Sequence, residues 1–306
     1  MELRQLRTFI NVAELKSISA AAERLHIAQP ALSRQIQSLE EELGVCLLRR
    51  HGRGVEPTEE GEFLVERANV VLKEIERIYS EIKTDDPVLR GSISLGLPPT
   101  VADVLATPII ERTYYNHPDV RLRVVSGFSG FVQDWLQRGT IDIGVTYEGR
   151  EVHSVRSHPL LLEELFLIQP AEASHDDQPV SCADALRQKL ILPGSPHALR
   201  KLLDMTASNH GVTLNVVLEA DTLPTLLELV RRGLGSTVLP LVSVFDEVRK
   251  GRLRARRIVD PAITRKLVLW TPIDRPSSRL TQQFTAMLID EVYALVASKR
   301  WPGTTL

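Results

Sequence analysis

Long apolar runs, cysteines and aromatic residues are all scarce in this sequence. No stretch of about 18 consecutive apolar residues occurs, so nothing in it reads as a membrane-spanning helix. Only two cysteines are present, Cys46 and Cys182, with no C-x-x-C pair; this excludes a disulfide framework and points to a reducing compartment. Met1 to Gln5 shows no basic region leading into an apolar stretch, and a cytoplasmic protein is expected. Positive charge is not in excess either. With 37 Lys and Arg against 39 Asp and Glu, the net charge of -2 argues against a nucleic-acid partner unless the charges are segregated along the chain.

Signs of catalysis are equally thin. The eight histidines lack metal-ligand spacing. Ser195 has His197 nearby but no G-x-S-x-G elbow, and Gly233-x-Gly235 lacks the rest of a nucleotide-binding fingerprint. Neither an enzyme, a metal nor a cofactor is expected. For Cys46, packing as a small hydrophobe is favoured over a redox-sensing thiol.

What is present divides by pattern. At 306 residues and 43% hydrophobic composition, the chain is long enough for two domains with real cores. Residues 1–57 read as short helices: Leu3, Leu6, Phe9, Ile10 and Ala13 form one helical stripe, interrupted at Lys16 and Ser17. Ser19 is the expected cap of a second helix, Ala20 to Leu25, and Pro30 starts a third with the stripe Leu32, Ile36, Leu39 and Leu43. Gly44 closes it. Leu47 and Leu48 then lead into the basic hairpin tip Arg49 to Gly54.

Two short helices joined by a tight turn are the geometry that presents a recognition helix to the major groove. Gln29, Ser33, Arg34 and Gln37 fall opposite the apolar stripe, and Gln and Arg can pair bidentately with adenine and guanine edges. Pro30 fixes the helix start, where free amides favour a phosphate. Arg49, Arg50 and Arg53 add phosphate or minor-groove contacts in the position of a wing. A helical hairpin with an ordinary polar surface is the competing reading.

Thr58 opens a long helix with Glu59, Glu60 and Glu62 in its first turn, until Asp85-Asp86-Pro87 stops it. Leu64, Ala68, Val71, Ile75, Ile78 and Ile82 step by fours and threes, the spacing of a dimer seam, with a packed core element as the alternative. From Gly91 strands alternate with helices, which predicts an α/β domain with mainly parallel sheets and room for two subdomains. Polar residues at strand ends are candidate ligand contacts: Thr100, Ser126, Ser129 and Thr146 on one side, Pro193, Ser195, His197 and Thr222 on the other. Arg200 either favours an anionic ligand or forms a surface ion pair.

The run Phe9-x-x-Val12-Ala13-Glu14, Ser17 to Leu25, Ala28 to Ile36 and Leu39-Glu40-x-x-Leu43-Gly44 resembles the LysR-type transcriptional regulators. Similarity continues through Leu48, Arg49, Thr58, Gly61 and the long helix. Gly96-Leu97-Pro98-Pro99-Thr100, Asp142-Ile143-Gly144-Val145, Leu192-Pro193-Gly194-Ser195-Pro196 and Gly233-Leu234-Gly235-x-x-Val238-Leu239-Pro240 resemble the branch containing nitrogen-assimilation regulators.

The resemblance implies an N-terminal winged helix-turn-helix DNA-binding domain over 1–57, a linker and dimerisation helix over 58–86, and an effector-binding domain over 87–306. That domain is implied to resemble periplasmic binding proteins, with subdomain I at about 87–161 and 267–306, subdomain II at about 162–266, and a small molecule between them. Double-stranded DNA, an effector, an anion by the Arg200 reading, and a homodimer assembled into a tetramer are the implied partners. A solute-binding or catalytic α/β protein with an appended helical module is the alternative.

Overall fold

The computed structural model describes residues 1–52, 54–82, 88–149, 154–172, 178–195, 197–273 and 277–306. Arg53, the expected helix stop at Asp85 to Pro87, and the side chain of Ile82 lie outside the described residues. The chain forms two compact units; apart from Arg138–Thr140, the second begins at Val88.

The first unit contains α1 (Leu3–Leu15), α2 (Ile18–Arg24), α3 (Gln29–Leu43), the strands β1 (Leu48–His51) and β2 (Gly54–Pro57), and α4 (Glu59–Ile82). Phe9, Val12, Ala21, Leu32, Ile36, Leu39, Leu47 and Val55 are buried together, so the stripes of three helices close under the β1/β2 hairpin. Lys16 leaves α1 in a left-handed conformation, and Ser17, not Ser19, caps α2 by accepting the Ala20 N–H at 3.3 Å. Cap position follows the chain reversal: the turn at Lys16 puts Ser17 at the first extended residue. Gly54 (φ 144°) is required where it stands, because a Cβ there would lie 2.4 Å from the Lys16 carbonyl oxygen. Glu40, at the far end of α3, accepts the Leu47 and Leu48 N–H groups at 2.7 and 3.1 Å and so seats the hairpin on the helix. Cys46 is exposed, against the expectation that it packs inside.

Leu64 and Ala68 of α4 pack with Leu72 against Leu6 and Ile10 of α1. Those two residues are therefore covered within the protomer, while Val71 and Ile78 are exposed and Ile75 is half-buried.

The second unit follows as β3 (Gly91–Leu97), α5 (Pro99–Asn116), β4 (Val120–Ser126), α6 (Ser129–Arg138), β5 (Ile143–Tyr147), β6 (Val155–Pro170), β7 (Val180–Ser181), α7 (Cys182–Arg187), β8 (Lys189–Leu192), α8 (Ala198–Asn209), β9 (Asn215–Glu219), α9 (Leu223–Arg231), β10 (Thr237–Pro240), α10 (Phe245–Arg249), β11 (Leu253–Val259), β12 (Thr264–Pro272), α11 (Arg279–Ala297) and β13 (Thr304–Thr305). Its sheet runs β4-β3-β5-β12-β6-β11-β7, with β10 and β13 also on β6. Among the strand pairs of the described residues, only β3/β4, β3/β5, β7/β11 and β8/β9 are parallel. The expectation of mainly parallel sheets is corrected here. The chain passes between its two halves in both directions, along β6 and back along β12, so the strands at the crossing pair antiparallel.

Two main apolar cores lie on either side of that crossing. One joins β3, β5, β12, α5 and α11 through residues such as Leu95, Val145, Leu105, Ile109, Leu269 and Leu288; the other joins α7, β8, α8, α9 and β10 through Leu186, Leu190, Leu203, Val230 and Val238. A smaller cluster, Val132, Leu136, Ile141 and Trp270, seats α6 on the opposite face of the first sheet region.

At the crossing itself Glu163 is fully buried, accepting a charge-assisted bond from Arg265 Nε and a 3.0 Å bond from Trp301 Nε1. Removing one partner of such a pair strands the other charge away from water. Glu163→Ala is expected to lower unfolding free energy by about 3–5 kcal/mol, whereas Glu163→Leu with Arg265→Met recovers most of it. Urea titration of the full chain checks this; equal losses in the single and double variants would contradict it.

Candidate recognition helix and ligand cleft

Gln29, Pro30, Arg34 and Gln37 are exposed along α3, and Ser33 is half-buried beside them. Arg34 has no hydrogen-bond or ion-pair partner among the described residues. Gln37 Nε2 donates to Glu41 at 3.0 Å, and Gln29 Oε1 accepts from Ser19 at 3.4 Å, so both amides are oriented but remain accessible. Arg49 and Arg50 are exposed on β1. A helix presenting Gln and Arg, followed by a basic hairpin, supplies base-edge and phosphate contacts from adjacent elements.

In the second unit, four helices begin at one place. The first residues of α5, α6, α8 and α9, namely Pro99, Ser129, Ala198 and Leu223, all line an inner chamber of about 60 Å³. Unpaired N–H groups and aligned dipoles make each such terminus attractive to negative charge. Arg265 also lines this chamber. Its side chain is 8% exposed, its guanidinium carbon lies 3.6 Å from the centre of the Tyr147 ring, and its Nη2 has no partner among the described residues. Tyr147 OH and Thr100 Oγ1 are 3.1 Å apart, and burial raises the tyrosine pKa, keeping the phenol neutral.

His197 Nδ1 accepts the Leu199 N–H at 3.1 Å, which leaves Nε2 as the protonated donor of the neutral ring. That ring packs edge-on against Phe128, with 4.6 Å between centroids. Burial pushes the His197 pKa down, the Arg265 charge lowers it further, and Asp221 opposes them.

Of the residues expected from sequence, Thr100, Ser129, Pro193, His197 and Thr222 meet in the inner chamber, and Ser126 lines an adjoining outer one. Thr146 lines neither: it is fully buried, and alternation along β5 gives the chamber its neighbour Tyr147 instead. Ser195 is exposed on its loop and also lines neither. Arg200 is committed elsewhere, 3.1 Å from Asp204 and 2.7 Å from Glu219. Sequence reasoning missed Tyr147, Arg265, Phe128 and Asp221. A lone arginine entering the apolar strand Leu267 to Trp270 was the available signal for one of them. Among the described residues no three metal-ligating side chains cluster, and burial raises the Cys182 thiol pKa.

Residues 3–62 match the bacterial regulatory helix-turn-helix protein, lysR family, and residues 87–292 match the LysR substrate binding domain. The chain belongs to the LysR family. It is 33% identical to the nitrogen assimilation regulatory protein nac of Klebsiella aerogenes over 241 residues, 78% of each chain. Its identity with the protein of that name from Escherichia coli (strain K12) is 30% over 98% of each. Full-length CbnR complexed with its target DNA shares the fold, with a TM-score of 0.72 at 23% identity, covering 96% of this chain and 99% of that one. The chain is thus a LysR-type transcriptional regulator of the Nac-like branch, with a DNA-binding helix-turn-helix and an effector-binding domain, and not an enzyme. The alternative of a solute-binding or catalytic protein falls with these matches.

Because the folded state holds His197 below its usual pKa, the unfolded chain takes up the proton first as pH falls. This stability contribution is lost below about pH 6.5, the ordinary histidine value. Thermal melts of wild type and His197→Asn are expected to keep a constant offset above pH 7.5, with wild type losing ground toward pH 5.5. Parallel curves throughout would contradict the assignment.

Proposed function

We propose that this LysR regulator binds double-stranded DNA as a homodimer that pairs into a tetramer in the cytoplasm, and that a small anion held between its two effector subdomains sets the geometry of its DNA-binding heads. Residues 1–57 serve as the winged helix-turn-helix, 58–86 as the linker and 87–306 as the effector domain, whose subdomains divide near 161/162 and 266/267. The separate apolar cores on either side of the β6/β12 crossing support that division.

On DNA, Gln29, Arg34 and Gln37 read base edges, Ser33 and the amides near Pro30 meet phosphate, and Arg49, Arg50 and Arg53 act from the wing. Along α4, exposed Val71 and Ile78 with half-buried Ile75 form the seam between protomers, continued at Ile82; Leu64 and Ala68 support it through α1. The observation that carries the effector reading is that Arg265, a lining residue of the chamber where four helix starts converge, has a buried Nη2 without a partner among the described residues. A carboxylate there meets that nitrogen, the His197 Nε2–H, Thr100, Ser129 and Thr222. At about 60 Å³ the inner chamber takes a head group, so the rest of a larger effector extends outward. Because such a ligand grips both walls, it favours one closure of the subdomains over others, and only differential affinity of that kind shifts an equilibrium.

The test combines DNA titration with ligand screening. Arg34→Ala is expected to lose about 1–3 kcal/mol of discrimination between operator and scrambled DNA. Small carboxylates, but not their amides, should raise Tm and alter the DNA complex; a ligand at a hundredfold excess over its Kd adds about 2.7 kcal/mol. The Glu163→Leu/Arg265→Met double variant should lose that response while still folding. Unchanged selectivity in Arg34→Ala would overturn the recognition assignment, and a carboxylate response retained in the double variant would overturn the effector site.

A further inference from the structure

Next to the inner chamber lies a larger one of about 780 Å³ with a different chemistry. Phe128, Phe131 and Trp135 form its aromatic wall, with centroids 6.4 and 6.2 Å apart along the start of α6. Their spacing of three and four residues puts them on one face, and Phe131 is 57% exposed, unusual for so large an apolar side chain. Gly127 keeps the shelf in place: a Cβ there would come within 2.5 Å of the Trp135 ring. Leu223 and Leu227 of α9 stand on the other subdomain's side.

Carboxylates outnumber cations in this chamber. Asp103 and Glu247 line it alone and Asp221 lines it jointly with the inner one, with Arg231 as the one cationic lining residue. Arg231 is already engaged by Glu228 and by Glu247 at 3.4 Å. Asp221 gives one oxygen to the Gly194 N–H at 2.9 Å, and Asp103 has no ion-pair partner among the described residues. Aromatic faces and uncompensated carboxylates are both attractive to a cation, and the apolar wall strengthens each by excluding water.

From this geometry we infer that the outer chamber is a binding site for an apolar organic cation, an aryl-alkyl amine stacked on Phe131 and Trp135 with its ammonium toward Asp103 and Asp221. The inference rests on the subdomain interface being a ligand cleft, but not on the inner chamber's preference for anions. Partial desolvation raises the Asp103 pKa, a cost that a neighbouring ammonium relieves.

Three probes of one shape separate the possibilities: 4-phenylbutylamine, 4-phenylbutan-1-ol and 4-phenylbutanoate, titrated into the full chain by calorimetry and by fluorescence, with Trp135→Phe identifying the reporter. The amine should bind at least tenfold more tightly than the alcohol and quench Trp135, and added salt should weaken it. Asp103→Asn with Asp221→Asn, which keeps an acceptor for Gly194, should abolish the preference for the amine while the alcohol's affinity stays unchanged. Equal binding of amine and alcohol, or no saturable binding of the amine, would overturn the inference. So would phenylbutanoate binding most tightly with its affinity lost in Glu163→Leu/Arg265→Met; that result would leave the inner anion site standing.

Discussion

The fully buried carboxylate of Glu163 organises the crossing of the effector domain. It sits on β6, the strand shared by both apolar cores, and draws Arg265 of β12 and Trp301 near the chain's end to one point. Burying this much polarity is costly unless every group is paired, and here one group is not: Arg265 lines the chamber, and its buried Nη2 has no partner among the described residues. The interaction that fixes the crossing also prepares a donor for a ligand. Tyr147, under the guanidinium and beside Thr100, carries that arrangement to the start of α5.

The same economy of charge appears in the DNA-binding unit. Net acidity is compatible with a DNA partner because charge is segregated: Glu40 to Glu42 cluster at the far end of α3, where Glu40 holds the Leu47 and Leu48 amides, while Arg34, Arg49 and Arg50 stay exposed elsewhere. The cleft grades charge in a similar way, with helix starts and Arg265 in the inner chamber, Asp103 and Glu247 beside an aromatic shelf in the outer one, and Asp221 lining both.

Local signals carried well from sequence to structure where periodicity and turn chemistry agree. The helical stripe through Phe9, the Pro30 start, the Gly44 end and the Thr58 cap, which accepts the Gly61 N–H at 3.0 Å, are all fixed by a few neighbouring residues. Non-local features did not carry. Strand direction at the β6/β12 crossing depends on how the chain returns between subdomains, and a run of apolar residues reads alike in either direction. Thr146 against Tyr147 is a one-residue ambiguity that the pleat resolves only once a sheet has two sides. Leu64 and Ala68 fit a seam by spacing, yet α1 reaches them first. The aromatic triplet at 128, 131 and 135 went unread, although its spacing of three and four is that of one helical face in a chain with 5% aromatics.

Hydrogen exchange of backbone amides in the full chain, with and without the most stabilising carboxylate, tests the central claim most directly. If an anion bridges the cleft through the helix starts and Arg265, exchange should slow together at residues 100–102, 130–132, 199–201 and 225–226, on both walls. Protection confined to one wall, or absent from all four helix starts while the ligand is bound, would contradict the account.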